Sequence, residues 1–355
     1  MPFEPRLWTE PSWEAPSGYG LMFTGGENAH PFADIAAPAP RGHVPAMTNK
    51  KPGEQSAGWV LMKHLADTAA DAGVHTHYNT RVGRLVVDGD RVVGAEVVTF
   101  GERSFVKARR GLVLSAGGFG ANAAMPGNHL TGTDGDDGSA IRMGQAVGAA
   151  VLHMEAGQTA FPADPALLYR SLLLDRHGNR FINEDGYPGR AGQASLFRQD
   201  RQIFLLYDDT ANEETRQASG YVVEPTWVSN DLAELETEMG PAPGALTATV
   251  GLYNAAAEKG EDPVCHKSAG WVRPLKPPYG VLDLRNAMFS IFTTGRPVHV
   301  VSRRGPLARR RPVPGLCAAG RTTSGIPAWG YCSGTSLGDS TFSGQRHVPR
   351  RRQAP

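Results

Sequence analysis

Residues 111–123 read GLVLSAGGFGANA and form the most informative short stretch of this 355-residue chain. The stretch begins with a short apolar run and ends in glycines, which is typical of a buried parallel strand that runs into a loop. Downstream, the residues from Ser139 to Val151 are rich in glycine and alanine and predict a helix suited to close packing on a sheet. Together these features predict an α/β fold.

The glycines of this stretch allow two interpretations. Gly118, Gly120 and Ala123 fit the pattern GxGxxA, in which glycines let a pyrophosphate approach the backbone at the start of a helix. The full fingerprint also has an acidic residue about 20 positions further on, at the end of the next strand. Here Asp134 and Asp136 lie in a loop rich in glycine and aspartate with no predicted strand before them. A tight strand-to-loop turn therefore fits the glycines at least as well.

The chain before this stretch predicts one helix, a short strand at Val74–Tyr78 and an antiparallel hairpin that a third strand at Ser104–Ala108 extends. Ser56 is a suitable N-cap, apolar residues then recur at helical spacing, and Gly73 ends the helix. Arg84–Val87 and Arg91–Thr99 follow as two strands around an Asp-Gly turn. Residues 1–55 are rich in proline, show no sustained period and are predicted to be irregular.

Residues 152–285 differ in character and predict a separate, inserted domain that is rich in helices. They contain two charged helices, Leu232–Met239 and Pro243–Lys259. Sheet-like and glycine-rich sequence returns after residue 285. The predicted parts are thus an α/β domain in two pieces (1–151 and 286–345), the inserted domain, and a disordered basic tail (346–355).

Composition and charge exclude several classes of protein. The 36 basic and 35 acidic residues nearly cancel, so no overall field favours nucleic acid or an anionic membrane. No apolar stretch approaches the roughly 20 residues of a membrane helix, and the N-terminus lacks the basic start and apolar run of a signal peptide. Three cysteines without a CxxC pair argue against a disulfide scaffold, and the eleven histidines show no ligand spacing such as HExxH. We therefore predict a soluble, cytoplasmic protein without a metal.

Two patterns near the C-terminus carry chemically active side chains. Residues 334–338, GTSLG, match the GxSxG nucleophile elbow of hydrolases, but no strand precedes them and no distant acid and histidine follow. The same small residues suit a helix N-terminus that contacts an anion. Just upstream, Tyr331 and Ser333 place a phenol and a hydroxyl two residues apart in a glycine-rich loop. A phenol with a lowered pKa can exchange a proton with an enol, and the alternative is a buried tyrosine that hydrogen-bonds the backbone.

Taken in order, these segments resemble the flavoprotein family of soluble fumarate reductases and 3-ketosteroid dehydrogenases. The matching segments are Ser56–Gly73, the hairpin, Val113–Phe119, Gly138–Gly148, Asn179–Glu184, Pro314–Arg321 and Gly334–Asp339. The resemblance implies that the two-piece domain is a Rossmann-like FAD-binding domain, with FAD as the cofactor. It also implies that residues 152–285 form an inserted α+β catalytic domain. By this resemblance the FAD contacts fall on Ala116, Gly117, Gly118, Gly320, Arg321, Thr335, Ser336 and Leu337.

The residues after the motif RFxNE indicate the branch of the family. Fumarate reductases have a catalytic arginine there, whereas this chain has Tyr187 and Pro188. With Tyr331 and Ser333, the pattern is similar to that of the 3-ketosteroid 4(5)-dehydrogenases. It implies FAD-dependent dehydrogenation of a 3-oxosteroid or similar cyclic ketone, in which a Tyr/Ser relay takes a proton beside the ketone and the adjacent carbon gives a hydride to flavin N5.

The resemblance makes Tyr331, Ser333 and Tyr187 catalytic residues without assigning which is the base and which the relay. The implied partners are a steroid-like ketone and an electron acceptor. The alternatives are a fumarate reductase-like flavoprotein, which Pro188 disfavours, and a non-catalytic fragment.

The chain departs from the family pattern in three places. No strand with a GxGxxG turn precedes Ser56, arginines crowd residues 303–311 where relatives have a regular strand, and the helix expected after Asp339 dissolves from Gly344 onward. The resemblance therefore implies a truncated or frame-shifted member that lacks the first strand. Because the missing turn receives the FAD pyrophosphate, we expect weak FAD binding.

Overall fold

The structure of the chain is a computed structural model. The residues that it describes are 20–22, 29–35, 42–44, 57–122, 135–152, 154, 157–220, 222–287, 289, 291–293, 296–302, 312–322 and 335–347. Tyr331, Ser333, the arginine-rich residues 303–311 and residues 348–355 lie outside these ranges, so the predictions made for them stay predictions.

The described segments form short strands and helices along the whole chain. The strands are β1 (Gly20–Met22), β2 (Gly42–Val44), β3 (Thr80–Asp88), β4 (Arg91–Thr99), β5 (Glu102–Lys107), β6 (Leu112–Leu114), β7 (Ala149–Leu152), β8 (Gly157–Thr159), β9 (Leu172–Asp175), β10 (Ile203–Asp208), β11 (Trp227–Ser229), β12 (Tyr279–Asp283), β13 (Ile291–Thr293), β14 (Arg296–Ser302) and β15 (Leu316–Ala318). The helices are α1 (Phe32–Ile35), α2 (Ala57–Asp71), α3 (Ser139–Ala146), α4 (Pro165–Arg170), α5 (Pro188–Phe197), α6 (Asp209–Ser219), α7 (Leu232–Met239), α8 (Ala245–Ala257) and α9 (Thr335–His347).

The chain divides into two compact units. The first unit takes in residues 1–60, 159–290 and 332–334, and the second takes in residues 61–158, 291–331 and 335–355. The sequence analysis expects residues 1–60 in the nucleotide-binding domain, whereas they group here with residues 159–290. The cofactor and catalytic roles of the two parts stay predictions.

The second unit contains the predicted hairpin and the predicted third strand. β3, β4 and β5 form an antiparallel sheet, and Asp88 pairs with Arg91 around the turn, where Gly89 has a φ of 58°. Val92 of β4 is buried and contributes to the apolar core of the unit. That core also contains Leu114, Ala140, Ala149, Val313, Leu316 and Ala318.

The short apolar run after Gly111 forms β6, which pairs with β15 in parallel. This is the parallel strand that the sequence analysis predicts. The pairs β1–β2, β9–β10, β10–β12, β11–β12, β7–β14, β3–β4 and β4–β5 are antiparallel. Helix α3 follows and ends earlier than predicted, because Gly148 has a φ of 91° and the chain turns there into β7.

The first unit is built on a four-stranded antiparallel sheet with the order β11-β12-β10-β9. All residues of β10 are buried, as are Leu172, Leu173 and Leu174 of β9. The predicted helices α7 and α8 contribute Leu235, Met239, Leu246 and other residues to the apolar core on one face of this sheet. This unit therefore contains both helices and strands, and its strands β9 and β10 were not identified from the sequence.

Three local predictions are wrong. Residues 74–78 do not form the predicted strand, and Val74 and Tyr78 are exposed. Residues 1–55 are not irregular throughout, because β1 pairs with β2 and α1 forms a short helix between them. Elements of three or four residues are too short to leave a periodic signal in the sequence. Helix α9 continues to His347 instead of dissolving at Gly344, and hydroxyls along it bond back to its own carbonyls, as Ser340 does to Ser336 at 2.7 Å.

Candidate active site

Two parallel strands of the second unit end side by side. β6 and β15 pair over their whole length, and the N–H of Ala319 continues the pairing by donating to the carbonyl of Leu114 at 2.8 Å. Loops 115–120 and 319–322 leave the sheet at this end, which we call the carboxyl edge. In open α/β sheets, ligands bind at the carboxyl ends of the strands.

Asp136 organises the carboxyl edge. Its buried carboxylate accepts the N–H of Gly118 at 3.2 Å through Oδ1 and pairs with Nη2 of Arg321 at 2.6 Å through Oδ2. Gly117 has a φ of +76°, and a Cβ there would collide with the Asp136 carboxylate. Only glycine therefore lets the acid approach so closely. Asp136 thus joins three of the predicted cofactor residues, and the sequence analysis left it in an unassigned loop.

Arg321 has a donor that no described group uses. Its side chain is 27% exposed and its Nη2 pairs with Asp136, but Nη1 is buried and has no hydrogen-bond partner among the residues that the structure describes. A buried guanidinium N–H without an acceptor costs free energy, so the site suits an acceptor-rich, anionic ligand. FAD fits this requirement, since its pyrophosphate and its flavin carbonyls are hydrogen-bond acceptors.

Gly320 joins the same loop to helix α9. Its N–H donates to Oγ of Ser343 at 2.9 Å, and a Cβ on it would lie 3.3 Å from Oγ of Ser340. Ala116 is exposed in loop 115–120. The remaining predicted cofactor residues, Thr335, Ser336 and Leu337, form the first turn of α9, before these two serines.

Tyr187 lies in the first unit, at the beginning of helix α5. It is the N-cap residue, and Pro188 occupies the first helical position, where its fixed φ and missing N–H are favourable. The backbone carbonyl of Tyr187 accepts the N–H of Arg190 at 2.8 Å. Its ring packs across Gly189, where an added Cβ would collide with Cε1 and lie 3.1 Å from Cδ1.

Four charged side chains form a buried network that holds the loop before Tyr187. Arg180 pairs with Glu184 at 2.7 Å and with Asp262 at 2.8 Å, and Lys267 pairs with Glu184 at 3.1 Å. Burial raises the pKa of Glu184, but Lys267 and Arg180 outweigh it and lower that pKa. At Asp262, burial likewise raises the pKa, but the hydrogen-bonded guanidinium of Arg180 outweighs this effect and lowers the pKa of Asp262 to about 2. Both carboxylates are therefore ionised at neutral pH.

The sequence analysis treats Arg180 and Glu184 only as parts of a family motif. Asp262 is 82 residues from Arg180, so no local spacing reveals this network. Of the predicted catalytic residues, Tyr187 lies within the described ranges, whereas Tyr331 and Ser333 do not.

In the described part of the chain, no three His, Cys, Asp or Glu side chains converge as metal ligands would. None of its helices combines the length and apolar character needed to cross a bilayer.

Comparison with known proteins places these features in a family. The sequence model of the FAD binding domain family matches residues 13–337. Among solved structures, the 3-ketosteroid-Δ4-(5α)-dehydrogenase of Rhodococcus jostii RHA1, in complex with 4-androstene-3,17-dione, is 44% identical to this chain. It superposes with a TM-score of 0.87 over 98% of this chain and 74% of its own.

Curated relatives include both branches that the sequence resembles. A probable fumarate reductase of Shewanella frigidimarina is 24% identical over 328 residues, which cover 84% of this chain and 54% of that protein. The 3-oxosteroid 1-dehydrogenase of Mycobacterium tuberculosis is 26% identical over 239 residues, which cover 55% of this chain and 42% of that protein. The chain thus spans about half the length of these two curated relatives.

Proposed function

The chain belongs to the FAD binding domain family, with relatives among 3-ketosteroid dehydrogenases and fumarate reductases, and from this we propose that it dehydrogenates a 3-oxosteroid or similar cyclic ketone. FAD is the cofactor of this family. The observation that carries the proposal is the 44% identity to a 3-ketosteroid dehydrogenase over 98% of the chain. The electron acceptor and a cytoplasmic location belong to the proposal as well.

The carboxyl edge of the second unit supplies the proposed cofactor contacts. Nη1 of Arg321, whose side chain is held by Asp136, would donate to an acceptor of FAD. The peptide groups of Ala116, Gly117 and Gly118 would contact the cofactor, because two of these residues have no side chain. Gly320 and the first turn of α9, with Thr335, Ser336 and Leu337, complete the set. When bound, FAD supplies a two-electron oxidant that accepts hydride at N5.

The remaining chemistry falls to hydroxyl groups of this chain. Tyr331 and Ser333 form a relay that takes the proton from the carbon beside the ketone, and Tyr187 acts with them on the same carbonyl system. A phenol near neutral pH transfers protons well only when its surroundings lower its pKa from about 10. The proposal leaves open which of the three groups takes the proton first.

The relay can be tested by dye reduction. We expect purified protein with added FAD to reduce an electron-accepting dye when a saturated 3-oxosteroid is supplied. When fumarate and a reduced dye are supplied instead, we expect no reoxidation of the dye. Tyr331→Phe should lower the steroid-dependent rate roughly 100-fold or more, because general acid–base groups contribute about that much. Tyr78→Phe is the control, because Tyr78 is 79% exposed on the second unit. Full activity of the Tyr331→Phe variant would remove Tyr331 from the site.

A further inference from the structure

We propose that Gly189 and Asp185 are positioning residues for Tyr187, so that the phenol is fixed before the substrate arrives. This inference rests on the proposed function only for the role of Tyr187, because the geometry that fixes the ring is a property of the first unit alone. The two residues act on Tyr187 from opposite directions along the chain. Asp185 anchors the loop before it, and Gly189 provides the surface on which its ring lies.

The anchor is a buried carboxylate with three donors. Asp185 is 1% exposed. Its Oδ2 accepts the backbone N–H of Ser268 at 2.9 Å and the hydroxyl of Ser268 at 2.5 Å, and its Oδ1 accepts Nδ2 of Asn183 at 3.2 Å. Hydrogen bonds to an ionised group are about twice as strong as neutral ones, so Asp185 ties the loop firmly to residue 268.

Nearby residues add further hydrogen bonds that hold the loop around Asp185 in place. Oε1 of Glu184 accepts the N–H of Leu173 at 2.9 Å, which attaches the loop to strand β9. Nδ2 of Asn183 also donates to the carbonyl of His30 at 3.2 Å, and Nη1 of Arg190 donates to that carbonyl at 3.1 Å. The chain is therefore held before Tyr187 by buried polar groups and after it by the half-buried Arg190.

Gly189 has no side chain and so leaves the space that the Tyr187 ring occupies. Its φ lies outside the left-handed region, so the backbone would accept alanine, which also favours a helix more than glycine does. A Cβ at this position would collide with Cε1 of the Tyr187 ring and would lie 3.2 Å from the carbonyl oxygen of Thr159. The backbone of Thr159 needs to shift only slightly, whereas the ring has to move away. Gly189→Ala should thus displace the phenol while the fold persists.

The position of the ring can be measured without any activity. In protein labelled with 3-fluorotyrosine, the ¹⁹F resonance of Tyr187 is the one that Tyr187→Phe removes. We expect Gly189→Ala to shift this resonance and Gly251→Ala to leave it in place. Gly251 is the matched control, since it is a helical glycine of the same unit with open space where the Cβ would be. A Tyr187 resonance that does not move in Gly189→Ala would overturn the proposal.

The catalytic consequence is tested by a double-mutant cycle. We expect Gly189→Ala to lower kcat for the steroid at least tenfold with little change in KM, and to cost less than twofold when Tyr187 is already phenylalanine. An equal loss in both backgrounds would show that Gly189 acts elsewhere, and a fully active Tyr187→Phe variant would likewise overturn the positioning role. If Gly189→Ala shifts the resonance but the wild type turns over no 3-oxosteroid, the proposed function is wrong. The inference that Gly189 positions the Tyr187 ring would still be supported by the shift.

A second variant covers the case in which Gly189→Ala does not fold. Ser268→Ala removes one donor from Asp185 without touching Tyr187, and we expect it to broaden or shift the same resonance and to lower kcat severalfold. Ser268→Thr, which keeps a hydroxyl, should restore most of the rate. Ser195→Ala is the control, because this buried serine of α5 bonds only to the carbonyl of Ala191 among the contacts described. An unchanged resonance in Ser268→Ala would contradict the role of Asp185.

Discussion

Arg321 shows how one side chain can be both fixed and available. Its pairing with Asp136 at 2.6 Å removes most of the freedom of a long side chain, and the buried Nη1 is left to meet a ligand. A donor that is already oriented loses little entropy when its acceptor arrives. The residue is thus suited to bind an anion or a carbonyl oxygen of the cofactor.

The first prediction concerns the affinity for FAD. Arg321→Ala should weaken FAD binding roughly 10- to 100-fold, because a hydrogen bond to a charged group contributes about 1.5–3 kcal/mol. Titration of FAD fluorescence measures this change. Arg142→Ala, which removes an exposed arginine from α3 of the same unit, is the control and should leave the affinity unchanged. Equal affinities for the two variants would show that Arg321 does not contact the cofactor.

Single residues of the site were only partly predictable from the sequence. Family motifs indicated Gly117, Gly118 and Arg321, because those motifs are contiguous in the chain. Asp136 was not assigned, since its role arises when the loop folds back on Gly118. The network of Arg180 and Asp262 was also missed, because its members come together only in the folded first unit.

At the level of elements, Gly315 joins the hairpin sheet to the parallel strands. The residue before it, Pro314, accepts the N–H of Val92 on β4 at 2.9 Å, and the carbonyl of Gly315 accepts the N–H of Leu112 on β6 at 2.9 Å. Gly315 has a φ of +76°, and a Cβ there would collide with the carbonyl oxygen of Val92. The backbone at Gly315 thus packs directly against the backbone of β4, with no space for a side chain between them.

The second prediction follows from this close approach. Gly315→Ala should lower the free energy of unfolding by about 1–3 kcal/mol more than Gly101→Ala, because overpacking against backbone adds to the cost of a left-handed φ. Gly101 is the control, since it has a φ of +89° with open space around the Cβ position. Urea unfolding of both variants gives the comparison. An equal loss of unfolding free energy in the two variants would mean that the backbone at Gly315 and strand β4 can move apart at little cost.

Elements with a local signal were predicted well. The hairpin, α2 and α7 have an Asp-Gly turn, a helical period or a clear cap, and the structure confirms them. Strands β9 and β10 were missed, because buried strands read as continuous apolar runs and periodicity does not separate them from helices. The pairing of β6 with β15 was not predicted, because the local pattern of a buried strand does not identify a partner far along the chain.

At the scale of the whole molecule, the buried charges of the first unit make its stability depend on pH. The pKa of Asp262 is lowered to about 2 against an unfolded value of about 3.9. A carboxylate with a lowered pKa stabilises the fold above its unfolded pKa, and this contribution is lost as the pH falls through the folded value. Glu184, whose pKa is lowered by Lys267 and Arg180 against the effect of burial, acts in the same direction.

The third prediction is therefore that the free energy of unfolding decreases as the pH falls from about 4 to about 2. In this window the wild type should lose stability to urea more steeply than Asp262→Asn, which cannot take up the proton. Tryptophan fluorescence follows the unfolding, since Trp227 and Trp271 lie in the first unit. Asp90→Asn, in the exposed hairpin turn, should keep the slope of the wild type. Identical slopes for wild type and Asp262→Asn would contradict the role given to the network.

The proposed activity is the FAD-dependent removal of two hydrogens from a cyclic ketone. It is tested by mixing FAD-loaded protein with a saturated 3-oxosteroid in the absence of oxygen. We expect the visible absorption of the flavin to bleach and the recovered steroid to have gained one C=C bond conjugated to its ketone. A flavin that is bound yet stays oxidised with saturating 3-oxosteroid would contradict the proposed function.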